Sequence, residues 1–380
     1  MSTPAKFSGT NPRLFCLIIG GVFCALLLVE RLAPVVLSLD AFFFRPWEYM
    51  TGAYRYNAPR TSMTMTLEGY GDLSNILGTP QFRVPRQYVW TNDAYGFRNS
   101  FATQHEYPEI LVVGDSFMTS AADNDDDTFV EQLRKRTGKR VSGYVPANMS
   151  EFLADPRFHV NVPPVVLWGR VERNLLGDDG EMQTLLKDST CFRNSKESRD
   201  ALSTLKEKVK SSVGPFKEYA TLSIFRRTAR QLLAQAVFAI TGEYDSQVQI
   251  AEDGSGILFF AKGIRLLGRS SDDRDMKSVA QAVAHVRDCL AERGSTLLFL
   301  PIPDKEHVYA EKVKAESASA NVFEDFSAHL RSQNVTFVDL WPVFAGYAQE
   351  EQELLYWPDD THWNAKGISV AVEEVTKKLR

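Results

Sequence analysis

Short apolar runs alternate with helical patterns of apolar positions along most of this chain. Residues 110–113 are four consecutive apolar residues followed by Gly114, which is typical of a short buried strand. Residues 276–293 carry apolar residues at helical spacing and end at Gly294, a residue type that commonly caps helices. Further strands are predicted at residues 164–168, 296–303 and 335–340, and a last helix follows residue 364. This alternation predicts an α/β fold: a doubly wound α/β/α sandwich with a mostly parallel sheet.

The N-terminal segment departs from that alternation. Residues 14–29 form an unbroken apolar run, and Lys6 and Arg13 precede it. Length and flanking charge predict one transmembrane anchor at residues 14–36, with residues 1–13 in the cytoplasm. No small-residue cleavage site follows, so we expect the anchor to be retained. The expected localisation is the cytoplasmic (inner) membrane, single-pass, with the exported domain, residues 45–380, in the periplasm.

Residues 185–265 fit the alternating pattern least and are predicted to be an insertion in the exported domain. Within them, residues 222–240 are first basic and then apolar. This pattern fits either a helix on a membrane surface or a helix that packs on the edge of the domain. Two short apolar runs flank Asp253 and Gly254, a pair that is typical of a hairpin turn.

Charge and cysteine content narrow the choice of function. The formal net charge of -5 argues against a nucleic-acid binder, which usually has a basic face. An acidic cluster at Asp123 and residues 125–127 lacks calcium-loop spacing and is predicted to be a solvated loop. Cys191 and Cys289 are the only cysteines of the exported part, and the sequence leaves open whether they pair. No spacing of histidines, cysteines and carboxylates indicates a metal site, and no cofactor is expected.

The candidate chemistry lies at two distant points of the chain. Asp115 and Ser116 follow the strand at residues 110–113, and His362 follows the last predicted strand. A neutral imidazole can take the proton of a serine hydroxyl, and a carboxylate can fix the tautomer of that imidazole. Either Asp360 or Asp359 could be this carboxylate. The second glycine of the Gly-x-Ser-x-Gly elbow is missing, which excludes the usual α/β-hydrolase pattern.

Gly-Asp-Ser at residues 114–116 and Asp-Thr-His-Trp at residues 360–363 together resemble the SGNH (GDSL-type) hydrolase superfamily. More narrowly, the second motif resembles the alginate O-acetylation proteins, in which however it precedes Gly-Asp-Ser. The Asp-x-His-Trp form favours Asp360, whereas the Asp-x-x-His of ordinary GDSL esterases would assign Asp359. The stretch ending in Gly96, Phe97 and Arg98 also resembles one that precedes Gly-Asp-Ser in bacterial members. Its alternative interpretation is a glycine turn with an exposed arginine.

The resemblance implies roles for further residues. Oxyanion donors would be Gly143 and Asn148, which follow the second strand of the family pattern. The substrate would be bound by residues near the carboxyl edge of the sheet, namely Arg173, Lys305, Tyr309 and Trp363.

Three functions fit these motifs. The first is an O-acetyltransferase that acts on an exported polysaccharide through a Ser-His-Asp triad and an acetyl-serine intermediate. Its partners would be the polysaccharide acceptor and a membrane-bound O-acyltransferase that delivers the acetyl donor, with the inner membrane as anchor and no nucleic acid. The second is a periplasmic carbohydrate esterase, in which water replaces the sugar. The third is a non-catalytic polysaccharide-binding or assembly subunit.

Overall fold

The computed structural model describes residues 12–36, 46–51, 61–78, 80–100, 107–176, 180–187, 191–192, 224–241, 247–267, 273–313, 322–350 and 353–380. The strands are β1 Met63–Gly69, β2 Arg86–Asn92, β3 Ile110–Gly114, β4 Val141–Tyr144, β5 Val165–Val171, β6 Val248–Ile250, β7 Leu258–Phe260 and β8 Thr296–Ile302. The helices are α1 Pro12–Val36, α2 Pro46–Thr51, α3 Asp72–Leu77, α4 Phe129–Thr137, α5 Met149–Ala154, α6 Glu172–Leu175, α7 Glu181–Lys187, α8 Ile224–Thr241, α9 Ala261–Leu267, α10 Asp273–Ala291, α11 Lys305–Val308, α12 Val322–Ser332, α13 Trp341–Gln349 and α14 Ala365–Leu379.

The central sheet is parallel, as the alternation of strands and helices predicted. Its four strands lie in the order β4-β3-β5-β8. The chain first adds β4 on one side of β3 and then crosses to add β5 on the other side. The direction of winding therefore reverses at β3, which is where open α/β sheets bind ligands. Residues 335–340 do not form the full strand that was expected, because only Phe337 bridges to the sheet, at Phe299 of β8.

Helices cover both faces of this sheet, which gives an α/β/α sandwich. Alternate residues of β3 enter two separate cores, because successive side chains of a strand point to opposite faces. Ile110 and Val112 pack in the core that includes residues of α4 and α14. Leu111 and Val113 pack in the core that includes residues of α5, α7, α10 and α12. Burial on both faces explains why the strand is apolar at every position.

Two small antiparallel sheets lie outside the central one. Strands β1 and β2 pair with each other and share a core with Trp47 of α2 and with Ala121, which follows Ser116 in the chain. Strands β6 and β7 form the hairpin that was expected around Asp253 and Gly254, and they pack on α3. Residues 61–78 and 80–100 are thus brought onto the parts of the chain that carry the candidate serine and histidine.

Within the predicted insertion, the structure describes α8, the hairpin of β6 and β7, and the first part of α9. Residues 188–190, 193–223 and 242–246 of that insertion lie outside the described residues. Cys191 and Cys289 form a disulfide with Cα atoms 5.3 Å apart, which answers the question that the sequence left open. The bond links residues 98 positions apart and so constrains the unfolded chain.

The predicted anchor corresponds to α1, a helix of 25 residues that begins two residues before the predicted span. Its described apolar side chains, which include Leu17, Ile18 and Phe23, are exposed. Among the helices of the described residues, none reaches the combination of length and apolarity that a membrane span requires.

Candidate active site

The turn after β3 carries the candidate nucleophile, Ser116. A Cβ atom on Gly114 would overlap the carbonyl oxygen of Gly169, so glycine is needed where β3 and β5 approach each other. The carboxylate of Asp115 then fixes the turn, because Oδ1 accepts from the N–H of Phe117 (3.1 Å) and Oδ2 accepts from the N–H of Val171 (3.2 Å). Ser116 therefore stands where β3 is flanked by β4 and β5, at the carboxyl edge of the sheet.

The structure brings Ser116, His362 and Asp360 into one hydrogen-bonded chain. Ser116 Oγ lies 2.7 Å from His362 Nε2, and His362 Nδ1 lies 2.6 Å from Asp360 Oδ1. Burial alone would raise the pKa of Asp360, but His362 and Arg86 outweigh it and hold that pKa well below its usual value. The ionised carboxylate can only accept, so Nδ1 carries the ring proton and Nε2 is free to accept from the serine hydroxyl.

Asp359, the alternative partner of the ring, has a different set of contacts. Its Oδ2 accepts from the backbone N–H groups of Gly71 (2.7 Å) and Val84 (2.9 Å). Its Oδ1 accepts from Arg86 Nη1 (2.8 Å). Asp360 therefore contacts the imidazole, and Asp359 ties the loop to residues 71–86. This arrangement agrees with the Asp-x-His-Trp interpretation.

Arg86 was not singled out from the sequence, yet it contacts both carboxylates of this loop. Nη1 bonds to Asp359, and Nη2 donates to Asp360 Oδ2 at 3.0 Å. The guanidinium also lies over the ring of Trp357, 4.4 Å from its centroid. No local motif marks Arg86, because its partners are 273 and 274 residues away in the chain.

Aromatic rings enclose the imidazole of His362, which is buried. The ring centroid of Phe117 lies 4.8 Å from that of His362, and the ring centroid of Trp47 lies 6.5 Å from it with the two planes nearly perpendicular. Trp47 in turn stacks on Trp90 of β2, with centroids 6.2 Å apart. Helix α2, at the start of the predicted exported domain, thus contributes a ring next to His362, and no motif in the sequence marked this contact.

Lys305 does not bind substrate as predicted, because it is buried and all three of its N–H donors are used. Nζ donates to the carbonyl oxygens of Trp357 (2.7 Å), Pro358 (2.9 Å) and Asp360 (3.1 Å). Burial lowers the pKa of Lys305 to about 8, although Glu306 and other carboxylates oppose this shift. Lys305 therefore holds the loop that carries Asp360.

Tyr309 and Trp363 were also predicted to meet the substrate, and the structure buries both. The Tyr309 hydroxyl accepts from the N–H of Leu355 (2.8 Å), and burial raises the pKa of Tyr309 to about 12. Trp363 Nε1 donates to the carbonyl oxygen of Phe117 (2.9 Å), and its ring stacks on Phe129. Trp363 thus connects the histidine loop to the serine turn, and the prediction of substrate contact is wrong for both residues.

Of the two predicted oxyanion donors, Gly143 is excluded by the structure and Asn148 is not. Gly143 lies inside β4, where its N–H donates to Asn99 Oδ1 (2.7 Å) and its carbonyl accepts from Asn99 Nδ2 (2.9 Å). This N–H is therefore not available to an oxyanion, which corrects the prediction. Asn148 lies beyond the carboxyl end of β4 and is exposed, and its Oδ1 accepts from Arg170 Nη1 (3.3 Å). Its role as a donor stays a prediction.

Arg173 borders the nucleophile turn. Its guanidinium lies over the ring of Phe117, 5.0 Å from the centroid, and forms an ion pair with Asp304. Burial would lower the pKa of Arg173, but Asp304 and Glu306 raise it, so the guanidinium stays charged. A contact between Arg173 and substrate stays a prediction.

Arg98 holds the loop that follows Ser116. It donates to the carbonyl oxygens of Thr119 (3.0 Å), Ser120 (2.5 Å) and Asp123 (2.6 Å), and only 3% of its surface is exposed. The alternative of an exposed arginine is therefore wrong. Asp123 is buried as well, which corrects the expectation that the whole acidic cluster is solvated.

Asp72, Asp360 and His362 bring three possible ligand atoms within 4.8 Å of one another. Both oxygens of Asp72 already accept from Thr361, at 2.8 and 2.7 Å. Asp360 accepts from Arg86 as well as from the imidazole. These groups form a hydrogen-bond network, and the network explains their proximity without a cation.

The class of protein follows from this geometry together with comparisons with known proteins. Residues 254–380 match the family model described as SGNH hydrolase-like domain, acetyltransferase AlgX. This confirms the resemblance to the SGNH hydrolase superfamily and, within it, to the AlgJ/AlgX-like branch. The matched residues include Asp360 and His362, whereas Ser116 lies before them.

Particular relatives carry the name "Probable alginate O-acetylase AlgJ". The Pseudomonas putida protein is 27% identical over 186 residues, which cover 42% of this chain and 47% of the relative. The Pseudomonas fluorescens protein is 26% identical over 115 residues (29% and 28%), and the Pseudomonas syringae pv. tomato protein is 30% identical over 93 residues (24% and 23%). The match thus spans less than half of each relative. No solved structure matches this chain.

We predict that Lys305→Met destabilises the fold and reduces any activity that depends on Ser116. The substitution removes a charged donor from three carbonyl oxygens; those of Trp357 and Pro358 keep the backbone N–H donors of Asp360 and Leu258, and that of Asp360 loses its lysine. We expect the free energy of unfolding to fall by about 2–4 kcal/mol. Urea unfolding measures this loss. The matched control is Lys377→Met, since Lys377 is exposed on α14. Wild-type stability of Lys305→Met would show that the lysine does not hold the loop.

We predict that Asp123→Asn stabilises the fold at about pH 8 and has little effect at about pH 4. Burial raises the pKa of Asp123 from 3.8 to about 7, against the opposing effect of Arg98. Between these pH values the unfolded chain loses the proton while the folded chain keeps it, so stability falls as pH rises. The amide avoids this loss, which is on the order of 4 kcal/mol above pH 7.

Thermal unfolding of wild type and Asp123→Asn across this pH range tests the prediction. The control is Asp126→Asn in the same loop, because the Asp126 side chain is exposed and forms an ion pair with the exposed Lys135. Equal stabilisation by Asp123→Asn at both pH values contradicts the proposed titration.

Proposed function

We propose that this protein is an O-acetyltransferase that transfers acetyl groups to an exported, alginate-like polysaccharide. The observation that carries the proposal is the chain from Ser116 Oγ through His362 to Asp360, with distances of 2.7 and 2.6 Å. The name of the relatives, "Probable alginate O-acetylase AlgJ", supports the proposed class of reaction and class of acceptor.

In the first half-reaction, His362 Nε2 takes the proton of Ser116 as Oγ attacks the carbonyl carbon of an acetyl ester or thioester. The tetrahedral intermediate collapses, the imidazolium returns its proton to the leaving oxygen or sulfur, and acetyl-serine remains. Asp360 keeps Nδ1 protonated and stabilises the imidazolium while the positive charge is present.

In the second half-reaction, a sugar hydroxyl replaces the donor. His362 takes the hydroxyl proton, the sugar oxygen attacks the acetyl carbon, and Ser116 Oγ leaves and recovers the proton. The backbone N–H of Ser116 and the carboxamide of Asn148 are the proposed donors to the oxyanion in both halves. The acetyl donor is proposed to come from a membrane-bound O-acyltransferase, with α1 anchoring this protein in the inner membrane and the domain in the periplasm.

A carbohydrate esterase would use the same three residues, with water in place of the sugar. Transfer needs an acceptor that outcompetes water, and a bound hydroxyl does so because it is held next to the acetyl group. The two functions therefore differ in the fate of the acetyl group once it is on Ser116.

The test incubates the full chain in detergent with a chromogenic acetyl ester and an oligomer of alginate. We predict ester cleavage that Ser116→Ala lowers by about 10³-fold or more, with a similar loss for His362→Gln, because triad residues act as a unit. Mass spectrometry should find acetyl groups on the oligosaccharide. Ser278→Ala, at an exposed serine of α10, is the matched control and should behave as wild type.

Three results contradict the proposal. Ester cleavage that depends on Ser116 without sugar acetylation indicates the esterase. Saturable binding of the oligosaccharide with no cleavage that depends on Ser116 indicates the binding or assembly subunit. Sugar acetylation that survives Ser116→Ala removes the covalent route.

A further inference from the structure

Helix α8, Ile224–Thr241, has one face on the domain and another in solvent. Ala234, Gln235 and Phe238 are half-buried, and Gln235 Nε2 donates to the carbonyl oxygen of Gly78 at 3.2 Å. The exposed face carries large apolar side chains: Leu232, Leu233, Val237 and Ile240 are 60%, 65%, 43% and 84% exposed. Four such residues on one face are more than a monomeric surface usually exposes together.

The arrangement follows from the helical period. At about 100° per residue, Leu232, Leu233, Val237 and Ile240 fall within an arc of roughly 140°, opposite the three half-buried residues. One side of the helix therefore packs on the domain. The other side exposes an apolar strip made of Leu232, Leu233, Val237 and Ile240. Nothing in the described part of the chain covers that strip.

The charge of α8 indicates what covers it. The 18 residues include Arg226, Arg227 and Arg230 but neither aspartate nor glutamate, in a chain whose net charge is -5. The helical period places position 230 just beyond one edge of the apolar arc and position 226 within the arc, toward the N-terminal end of the helix. An apolar strip with arginine positions at its N-terminal end matches a bilayer surface, where acyl chains meet anionic headgroups.

We propose that α8 lies on the surface of a lipid bilayer that contains anionic headgroups. Helix α1 also exposes apolar side chains, and one bilayer can cover both helices, whereas a protein partner would need a separate groove for each. The proposal does not depend on the chemistry at Ser116. Together with the anchoring by α1 that is part of the proposed function, it would give the domain two membrane contacts.

The test uses the full chain with Cys16→Ser and Cys24→Ser, which removes the two free thiols and leaves the disulfide. An environment-sensitive fluorophore on Val237→Cys reports the strip, and the same fluorophore on Ser278→Cys of α10 is the matched control. The protein is reconstituted in vesicles of phosphatidylcholine alone or of equal parts phosphatidylcholine and phosphatidylglycerol. Spin-labelled lipid then quenches any fluorophore that enters the acyl region.

We expect the Val237→Cys emission to shift to the blue and to be quenched, more strongly with phosphatidylglycerol, while the Ser278→Cys emission stays unchanged. Arg226→Gln and Arg230→Gln should each lower the ratio of docked to undocked helix by about fivefold in the anionic vesicles. Leu232→Ser with Leu233→Ser should remove the shift and leave the unfolding temperature unchanged, because both side chains contact solvent in the fold.

Three results overturn the proposal. An unquenched Val237→Cys fluorophore in both kinds of vesicle means that the strip does not meet lipid. A blue shift without lipid that grows with protein concentration means that a second copy of the chain covers it. Equal quenching in both vesicles, unchanged by the arginine substitutions, removes the role of anionic headgroups.

Discussion

The arrangement of the site depends on two adjacent buried carboxylates, Asp359 and Asp360. Their charges cannot be placed side by side in the interior unless donors compensate them, because isolated buried charges are very costly. Arg86 supplies one donor to each. Asp359 also accepts from the backbone N–H groups of residues 71 and 84 and from the Ser74 hydroxyl. Asp360 also accepts from the backbone N–H groups of residues 72 and 362 and from the imidazole of His362. Removing Arg86 would take one hydrogen-bond donor and the nearby positive charge from both carboxylates.

This compensation joins parts of the chain that are far apart. Residues 71–86 donate to the two carboxylates of the loop at residues 357–362. Lys305 donates to three carbonyl oxygens of the same loop. Trp363 then connects the loop to the serine turn through the carbonyl oxygen of Phe117. The 2.7 Å distance between Ser116 and His362 therefore depends on contacts of the surrounding residues as well as on the contacts of His362 with Asp360.

Local sequence patterns predicted the residues of the Ser116–His362–Asp360 chain and missed the residues that hold them in place. Ser116 and His362 were found because each stands in a short motif next to a strand or a helix. Arg86 was missed because its partners are distant in the chain. Lys305 was assigned to the substrate because the resemblance places it at the carboxyl edge of the sheet, and its burial arises only when α11 meets the loop at residues 357–362.

In the fold, too, local patterns predicted the elements, and contacts between distant residues could not be predicted. The apolar runs at residues 110–113 and 296–303 were enough to predict parallel strands, because both faces of the sheet are covered. The oxyanion role predicted for Gly143 was wrong. A glycine near a strand end suggests a free N–H group, but the N–H of Gly143 donates to the side-chain oxygen of Asn99. Pairing of Cys191 with Cys289 could not be predicted because spacing carries no geometry.

The most direct test of the account is covalent labelling of the full chain with a fluorophosphonate, followed by peptide mass spectrometry. The account predicts a single adduct on the peptide that contains Ser116. It also predicts that the labelling rate falls by about 10²-fold or more in His362→Gln and in Asp360→Asn, because the serine loses its base or the base loses its tautomer. An unlabelled Ser116, or labelling at the same rate in all three proteins, would contradict the claim that these residues form an active triad.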